Sequence, residues 1–438
     1  GNDESNPVKY SNVQKLSELS KRKVSGLSSF HSFYIRGVGS DGDGWIGEKW
    51  GGATGAGALD RIAGMLHELE EACIDYLKEY KQYPESIHLD VFGFSRGATT
   101  ARHFLNVLKQ GFYGFKDEKL QTYITPKNIM FSFVGLFDSV GSYGIAGDNE
   151  DHGYNFHIRP QWLTENAKAV HLIALNEYRK NFDLQSVFSH QNKTHPEDKV
   201  VGKIYEIGMI GAHSDVGGSY GPNEQGVVNN DQNPSQLSLM ALDKMYKFAK
   251  DCDVPLSPLN IGNRESGLLV NYQIIEDALQ DKKLSKLWMQ WVEYKKYQQI
   301  LEHRIEKYRA RNEERYSSYI RIYERRLKSM AVPKNALEEK MNDKMGKKEY
   351  QTFKAAYEHL EEYYIHESHG PFNSGIGMSA EIEEDDLDIK HLTRTVFFKP
   401  AVDFEQVNKD LDRISYRRGR AKKVDIDEFD FVMAKEFK

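Results

Sequence analysis

One serine lies between two glycines in Gly93-Phe94-Ser95-Arg96-Gly97, where an alternating apolar run gives way to apolar residues at helical spacing. A hydroxyl presented on such a turn suits attack on a carbonyl carbon, provided that a base takes its proton and a carboxylate orients the base. Two later positions supply those groups. Asp138 follows the apolar run Ile129-Met130-Phe131-Ser132-Phe133-Val134-Gly135-Leu136-Phe137, and His213 follows Ile204-Tyr205-Glu206-Ile207-Gly208-Met209-Ile210-Gly211-Ala212. Residues at the carboxyl ends of buried parallel strands face the crevice where open sheets bind their ligands. The pattern predicts acyl transfer, with Ser95 as nucleophile, His213 as general base and Asp138 as the group that orients it. Plainer readings stay open: a turn serine, a capping aspartate and a structural histidine.

The flanking elements must place that serine. Ile87, Leu89 and Val91 alternate as in a strand, Phe92 and Phe94 extend the run, and Ala98, Ala101, Phe104, Leu105 and Leu108 follow at helical spacing. Gly93 and Gly97 are both expected to allow close chain approach at the turn. The chain order Ser95, Asp138, His213 is that of α/β-hydrolases. The expected fold class is therefore α/β, a mostly parallel sheet flanked by helices. That order leaves two rivals. His366, in Ile365-His366-Glu367-Ser368-His369-Gly370, is a second candidate base because such folds often carry the histidine late in the chain. Asp215, two residues after His213, competes with Asp138 as the carboxylate.

Composition fits an enzyme with a sizeable core. The chain has 438 residues, 39% of them hydrophobic, and a formal charge of -6. No stretch approaches the ~18 uninterrupted apolar residues of a membrane span, so membrane contact is expected to be peripheral. Cys73 shares an apolar helical face with Ile62, Met65, Leu66, Leu69, Tyr76 and Leu77, and with Cys252 reads as a buried free thiol. That agrees with synthesis in a reducing cytoplasm. Asp41-Gly42-Asp43-Gly44 and Asp148-Asn149-Glu150-Asp151-His152 read as polar loops, so neither metal nor cofactor is expected.

After about residue 275 the pattern changes. Between Lys282 and Lys328 there are 14 Lys/Arg against six Asp/Glu. Leu284, Leu287, Trp291, Tyr294, Leu301, Ile305, Tyr308, Tyr316, Tyr319, Tyr323 and Leu327 recur at threes and fours. This predicts one long helix stopping near Val332-Pro333, then a second from about Asn335 towards Tyr364 with Gly346 as a break. The expected division is a catalytic core over 1–275, a helical hairpin region over 276–370, and a segment over 371–438 that returns to the core. Trp288, Trp291 and the basic residues raise a lid or membrane-docking role. A partner-facing aromatic stripe with a solvated basic side is the plainer reading. Thr395-Val396-Phe397-Phe398 reads as a strand. The acidic run 381–386 and the tail 413–423 read as solvated surface, with no nucleic-acid motif.

Gly93-Phe94-Ser95-Arg96-Gly97-Ala98, Leu136-Phe137-Asp138-Ser139-Val140 and His213-Ser214-Asp215-Val216-Gly217-Gly218 resemble the signature of the first family of type VI secretion lipase effectors, bacterial phospholipase toxins. Arg36-Gly37-Val38-Gly39, Gly51-Gly52-Ala53-Thr54-Gly55 and His171-Leu172-Ile173-Ala174-Leu175-Asn176-Glu177-Tyr178-Arg179 are similar to further segments of that hydrolase domain, over roughly residues 1 to 250. The resemblance implies a phospholipase of A1 or A2 type acting on membrane phospholipid. It implies the Ser95, Asp138, His213 triad and the Arg96 backbone N–H as an oxyanion donor. A secretion-spike component and an immunity protein are the implied partners, with action in the target-cell periplasm or on its membrane. Relatives open with a strand and an Asp-Gly-Thr turn, whereas this sequence starts at Gly1-Asn2; the first strand is expected to be missing. The second oxyanion donor is then open, with Gly37, Val38 and Gly39 as candidates. Two other classes remain: a carboxylesterase on smaller acyl esters, and a catalytically silent membrane-binding or secretion-associated scaffold.

Overall fold

The computed structural model describes residues 10–20, 30–37, 56–117, 122–124, 128–141, 156, 158–177, 179, 182, 184–187, 199–201, 203–220, 236–261, 266–311, 316–366, 396–397 and 429–433. Its strands are β1 (Ile87–Phe94), β2 (Phe112–Asp117), β3 (Thr122–Ile124), β4 (Ile129–Phe137), β5 (Leu163–Ala174), β6 (Leu184–Gln185), β7 (Lys199–Val201), β8 (Ile204–Met209), β9 (Val396–Phe397) and β10 (Phe429–Met433). The helices are α1 (Asn12–Leu19), α2 (Ala56–Tyr80), α3 (Arg96–Asn106), α4 (His213–Gly217), α5 (Gln236–Asp251), α6 (Ser266–Leu279), α7 (Lys282–Arg311), α8 (Ser317–Met345) and α9 (Lys347–Tyr363). Two compact units result. The first comprises Gly1–Ile261, His366–Ser379 and Thr395–Lys438, and the second Gly262–Ile365 and Ala380–Arg394.

The first unit is α/β. Its main sheet runs β1-β4-β5-β8-β7, with the first four strands parallel and β7 antiparallel at the edge. Ile129, Phe131, Val134 and Leu136 of β4 join a core with Leu66 of α2 and Leu105 of α3. Strict alternation breaks between Phe131 and Val134, where a register shift marks a bulge. The other face meets α5: a Cβ on Gly135 would lie 2.9 Å from Met245 Sδ. Helices therefore cover both faces, as a buried parallel sheet requires. Both cysteines are free and buried, and burial pushes the Cys73 thiol up to about 12. A second sheet, β10-β2-β3, and a β6-β9 pair complete the strands. The strand expected at 395–398 is described only over Val396–Phe397.

Over its described residues the second unit is helical, and it corrects the expected helix boundaries. Pro333 lies inside α8, and helix α7 ends at Arg311. The apolar stripe read as one continuous helix folds back on itself. Leu301 and Ile305 of α7 pack with Tyr323 of α8, and Tyr308 stacks on Tyr316 at 4.6 Å. Period alone cannot separate one long stripe from two facing halves. Pro333 is tolerated because the carbonyl it leaves without a donor belongs to Ser329, which is exposed. Gly346 does break the chain between α8 and α9, at φ +87. Trp288 and Trp291 are buried against Tyr357, with ring centroids 5.3 and 5.7 Å away, which withdraws both from a lipid-facing role. Among the described residues no helix is long and apolar enough to cross a membrane.

Candidate active site

Parallel pairing brings the carboxyl ends of β1, β4, β5 and β8 to one edge of the sheet. Phe94 is paired with Phe137, so Ser95 and Asp138 leave neighbouring strands side by side. Ser95 takes φ 58 and ψ -130 at the entry to α3. A side-chain-bearing residue there is strained by about 1–3 kcal/mol and must be held by its surroundings. Those surroundings are backbone: Ser95 N–H donates to Phe137 O at 3.0 Å, and its carbonyl accepts from Ala98 N–H at 3.0 Å and Val140 N–H at 3.3 Å.

The two glycines of the elbow differ. A Cβ on Gly93 would lie 2.5 Å from Ala98 Cα and 2.7 Å from Gly97 O, whereas a Cβ on Gly97 meets nothing within 4 Å. Close approach therefore demands glycine at 93 only, a correction to the symmetric expectation. Gly93→Ala should lower stability by about 1–3 kcal/mol in urea unfolding through backbone overlap. Gly97→Ala, inside a helix, should be neutral or stabilising by up to about 1 kcal/mol. Equal effects of the two substitutions would refute this difference.

His213 does not extend β8, which ends at Met209; it opens the short helix α4. Its Nδ1 is 2.6 Å from Asp138 Oδ2 and its Nε2 2.7 Å from Ser95 Oγ. An ionised carboxylate only accepts, which assigns the proton to Nδ1 and leaves Nε2 to accept from the serine hydroxyl. Asp138 Oδ1 accepts from Ala174 N–H at 2.8 Å. The imidazole packs against Phe94 and Phe182, at 4.6 and 4.9 Å between centroids. Desolvation by burial holds its pKa below the ordinary 6.5, against the opposing pull of Asp138.

A buried layer supports this row. His171 Nε2 accepts from Ser139 N–H at 3.0 Å and its Nδ1 is 3.0 Å from Glu206 Oε2, so the residue after Asp138 is fixed by a neutral histidine. Burial lowers the His171 pKa, in keeping with that form. Arg102 donates to the carbonyls of Phe156, Gln185 and Ser186 at 2.6 to 2.7 Å. Glu177 accepts His213 N–H at 3.2 Å and pairs with Arg179 through Nε at 2.9 Å and Nη2 at 2.8 Å. Sequence reasoning gave His171, Asn176, Glu177 and Arg179 no chemistry. Polar residues just past a buried strand end are the signal that singled out Asp138, and it applies equally to Asn176-Glu177.

The rivals lie elsewhere. Asp215 does not partner His213, and His366 does not reach Ser95; the two pair with each other through His366 Nδ1 and Asp215 Oδ1. Asp215 follows His213 on the helix, so its carboxylate turns back over Ala212 N–H, at 2.9 Å from Oδ2. Arg96 is the first residue of α3, where backbone N–H groups have no intrahelical acceptor. Gly37 O accepts from Arg61 Nη2 at 3.4 Å, while Val38 and Gly39 lie outside the described residues. So do residues 1–9, the loops at 41–44 and 148–152, the acidic run 381–386 and the tail 413–423. Among the described residues no group of His, Cys, Asp or Glu is arranged to hold a metal ion.

Residues 109–247 match the family described as "T6SS, Phospholipase effector Tle1-like, catalytic domain". No curated protein matches. Among solved structures, a Tle1 effector bound to the VgrG spike of the type VI secretion system is 20% identical, with a TM-score of 0.40 over 60% of this chain and 67% of that one. An uncharacterized protein from Pseudomonas aeruginosa is 19% identical, with a TM-score of 0.36 over 94% of this chain and 54% of that one, so the chain spans about half its length. At these scores neither structure carries weight for fold or function. The family match holds Asp138 and His213 and begins after Ser95, which leaves the serine to the geometry. Over residues 109–247 this chain is similar to the phospholipase effectors of type VI secretion.

Proposed function

We propose that the chain is a serine phospholipase of A1 or A2 type, delivered by type VI secretion as an antibacterial effector. The carrying observation is the unbroken row from Ser95 Oγ through His213 to Asp138 Oδ2. In this reading Ser95 Oγ attacks the acyl carbonyl carbon as its proton passes to His213 Nε2. The tetrahedral oxyanion is met by Arg96 N–H. The Asp138 carboxylate stabilises the imidazolium, which returns the proton to the departing glycerol oxygen. Lysophospholipid leaves; water, deprotonated by His213, then attacks the acyl-serine, and free acid departs as Ser95 regains its proton.

The partners and site of action belong to the same proposal, supported by the family match. They are a spike component for delivery, an immunity protein in the producing cell, and membrane phospholipid in the target periplasm. Incubation with a phospholipid carrying different sn-1 and sn-2 chains, followed by mass analysis, tests the reaction. One free acid and its complementary lysolipid are expected. Diacylglycerol or phosphatidic acid would contradict the acyl-ester assignment, and turnover of short esters alone would favour the carboxylesterase.

The base works only when neutral, so the pH profile has a fixed sign. Burial holds the His213 pKa below the ordinary 6.5, and protonation as pH falls through that lowered pKa removes the acceptor for the Ser95 proton. On a soluble ester kcat/KM should be level at neutral pH and fall along an acid limb centred below 6.5. A limb centred above 6.5 would contradict a desolvated base.

A further inference from the structure

Helix α4 has five residues, too few to hold itself, yet it carries His213. Its entry is fixed by three acceptors. Gly211 N–H donates to Asn176 Oδ1 at 2.8 Å, Ala212 N–H to Asp215 Oδ2 at 2.9 Å, and His213 N–H to Glu177 Oε2 at 3.2 Å. Asp215 is one arm of a capping arrangement; Ala212 has no side-chain acceptor to return the bond. Space is tight around it. Gly211 takes φ +126, and a Cβ there would lie 2.5 Å from Asp215 Cβ, while one on Gly217 would overlap the Phe94 ring.

What keeps the Asp215 carboxylate in this plane comes from 151 residues further on. His366 N–H donates to Oδ2 at 3.0 Å, and His366 Nδ1 meets Oδ1. The His366 ring stacks on Tyr220 at 4.4 Å and 27°, and Asp215 and His366 are only 1% and 3% exposed. Both carboxylate oxygens are thereby engaged, and neither can turn away from Ala212 without losing a buried partner. His366 is also where the chain re-enters the first unit after Ile365.

We propose that His366 is a positioning residue: through Asp215 it fixes the 211–213 turn, and so aims His213 Nε2 at Ser95 Oγ. The inference rests on the proposed hydrolytic reading. A base displaced by about 1 Å costs on the order of 100-fold in rate, which sets the scale. His366→Ala should lower kcat on a short-chain soluble ester by about 10- to 100-fold, with KM within about twofold.

Two further variants separate aim from mere folding. Asn at 366 places its amide nitrogen near the position of Nδ1 and can donate to Asp215 Oδ1; Gln places its own one bond further out. The measurement is kcat per folded molecule and the rate of Ser95 phosphonylation by a fluorophosphonate, for wild type, His366→Ala, His366→Asn and His366→Gln, each checked by thermal melting. Recovery by Asn and not by Gln, with kcat and labelling rate moving together, is expected even if His366→Ala folds poorly. Wild-type kcat in His366→Ala, or equal behaviour of Asn and Gln, would overturn the proposal. If Ser95→Ala retained turnover and wild type took no label, the hydrolytic reading itself would fall, and this inference with it.

Discussion

Ser95→Ala is expected to lower kcat on any ester substrate by on the order of 10⁴- to 10⁶-fold while leaving the protein folded. The size follows from covalency: without Oγ no acyl-enzyme forms, and any remaining rate must come from water in a site shaped for another nucleophile. The preserved fold follows from the backbone. The strain at φ 58 arises from Cβ, which alanine shares, and the contacts of residue 95 with Phe137, Ala98 and Val140 are made by its main chain. Among the described residues the one side-chain hydrogen bond lost is that from Oγ to His213 Nε2. Rates on a soluble ester with a melting curve check both halves. A variant within tenfold of wild type would remove Ser95 from the chemistry.

Asp138→Asn should be nearly as damaging, about 10⁴-fold in kcat, although it changes one atom. The direction of the new amide is dictated by a neighbour. Ala174 N–H donates to Oδ1 at 2.8 Å, so an asparagine carbonyl settles there and the NH₂ faces His213 Nδ1. His213 Nδ1 must then accept, which puts the imidazole proton on Nε2. An Nε2–H cannot take the proton of Ser95, and the base is present in the wrong tautomer. Stability should change little, since the bond to Ala174 persists and the bond to His213 reverses rather than disappears. Steady-state kinetics with a melting curve tests this; loss of kcat below tenfold would show that the tautomer does not control the reaction.

Legibility followed how local each signal was. Strand and helix periods around Ser95, and the buried runs ending at Asp138 and near His213, are properties of neighbouring residues, and the parallel sheet follows from them. In the structure Ser95, Asp138 and His213 lie in one hydrogen-bonded row. What could not be read depends on distant segments meeting. The Asp215–His366 pair spans 151 residues, and no periodicity reports it. Glu177 follows a buried strand end, as Asp138 does, but its bond to the backbone of His213 spans 36 residues and follows from no local pattern. The aromatic stripe from Leu284 to Leu327 carries the same period whether it runs on or turns back, so the sequence predicts an end at Pro333, whereas α7 ends at Arg311 and Pro333 lies inside α8. Glycines on both sides of a serine look alike in sequence, and only the position of Ala98 beside Gly93 distinguishes them.

The central claim, a nucleophilic Ser95 activated by His213, is tested most directly by mapping where an active-site acylating mimic attaches. After treatment with a fluorophosphonate, intact mass and peptide analysis should show one adduct, on the peptide containing Ser95, absent in Ser95→Ala and formed far more slowly in Asp138→Asn. An adduct on another residue, or ester turnover by a protein that takes no label at Ser95, would contradict it.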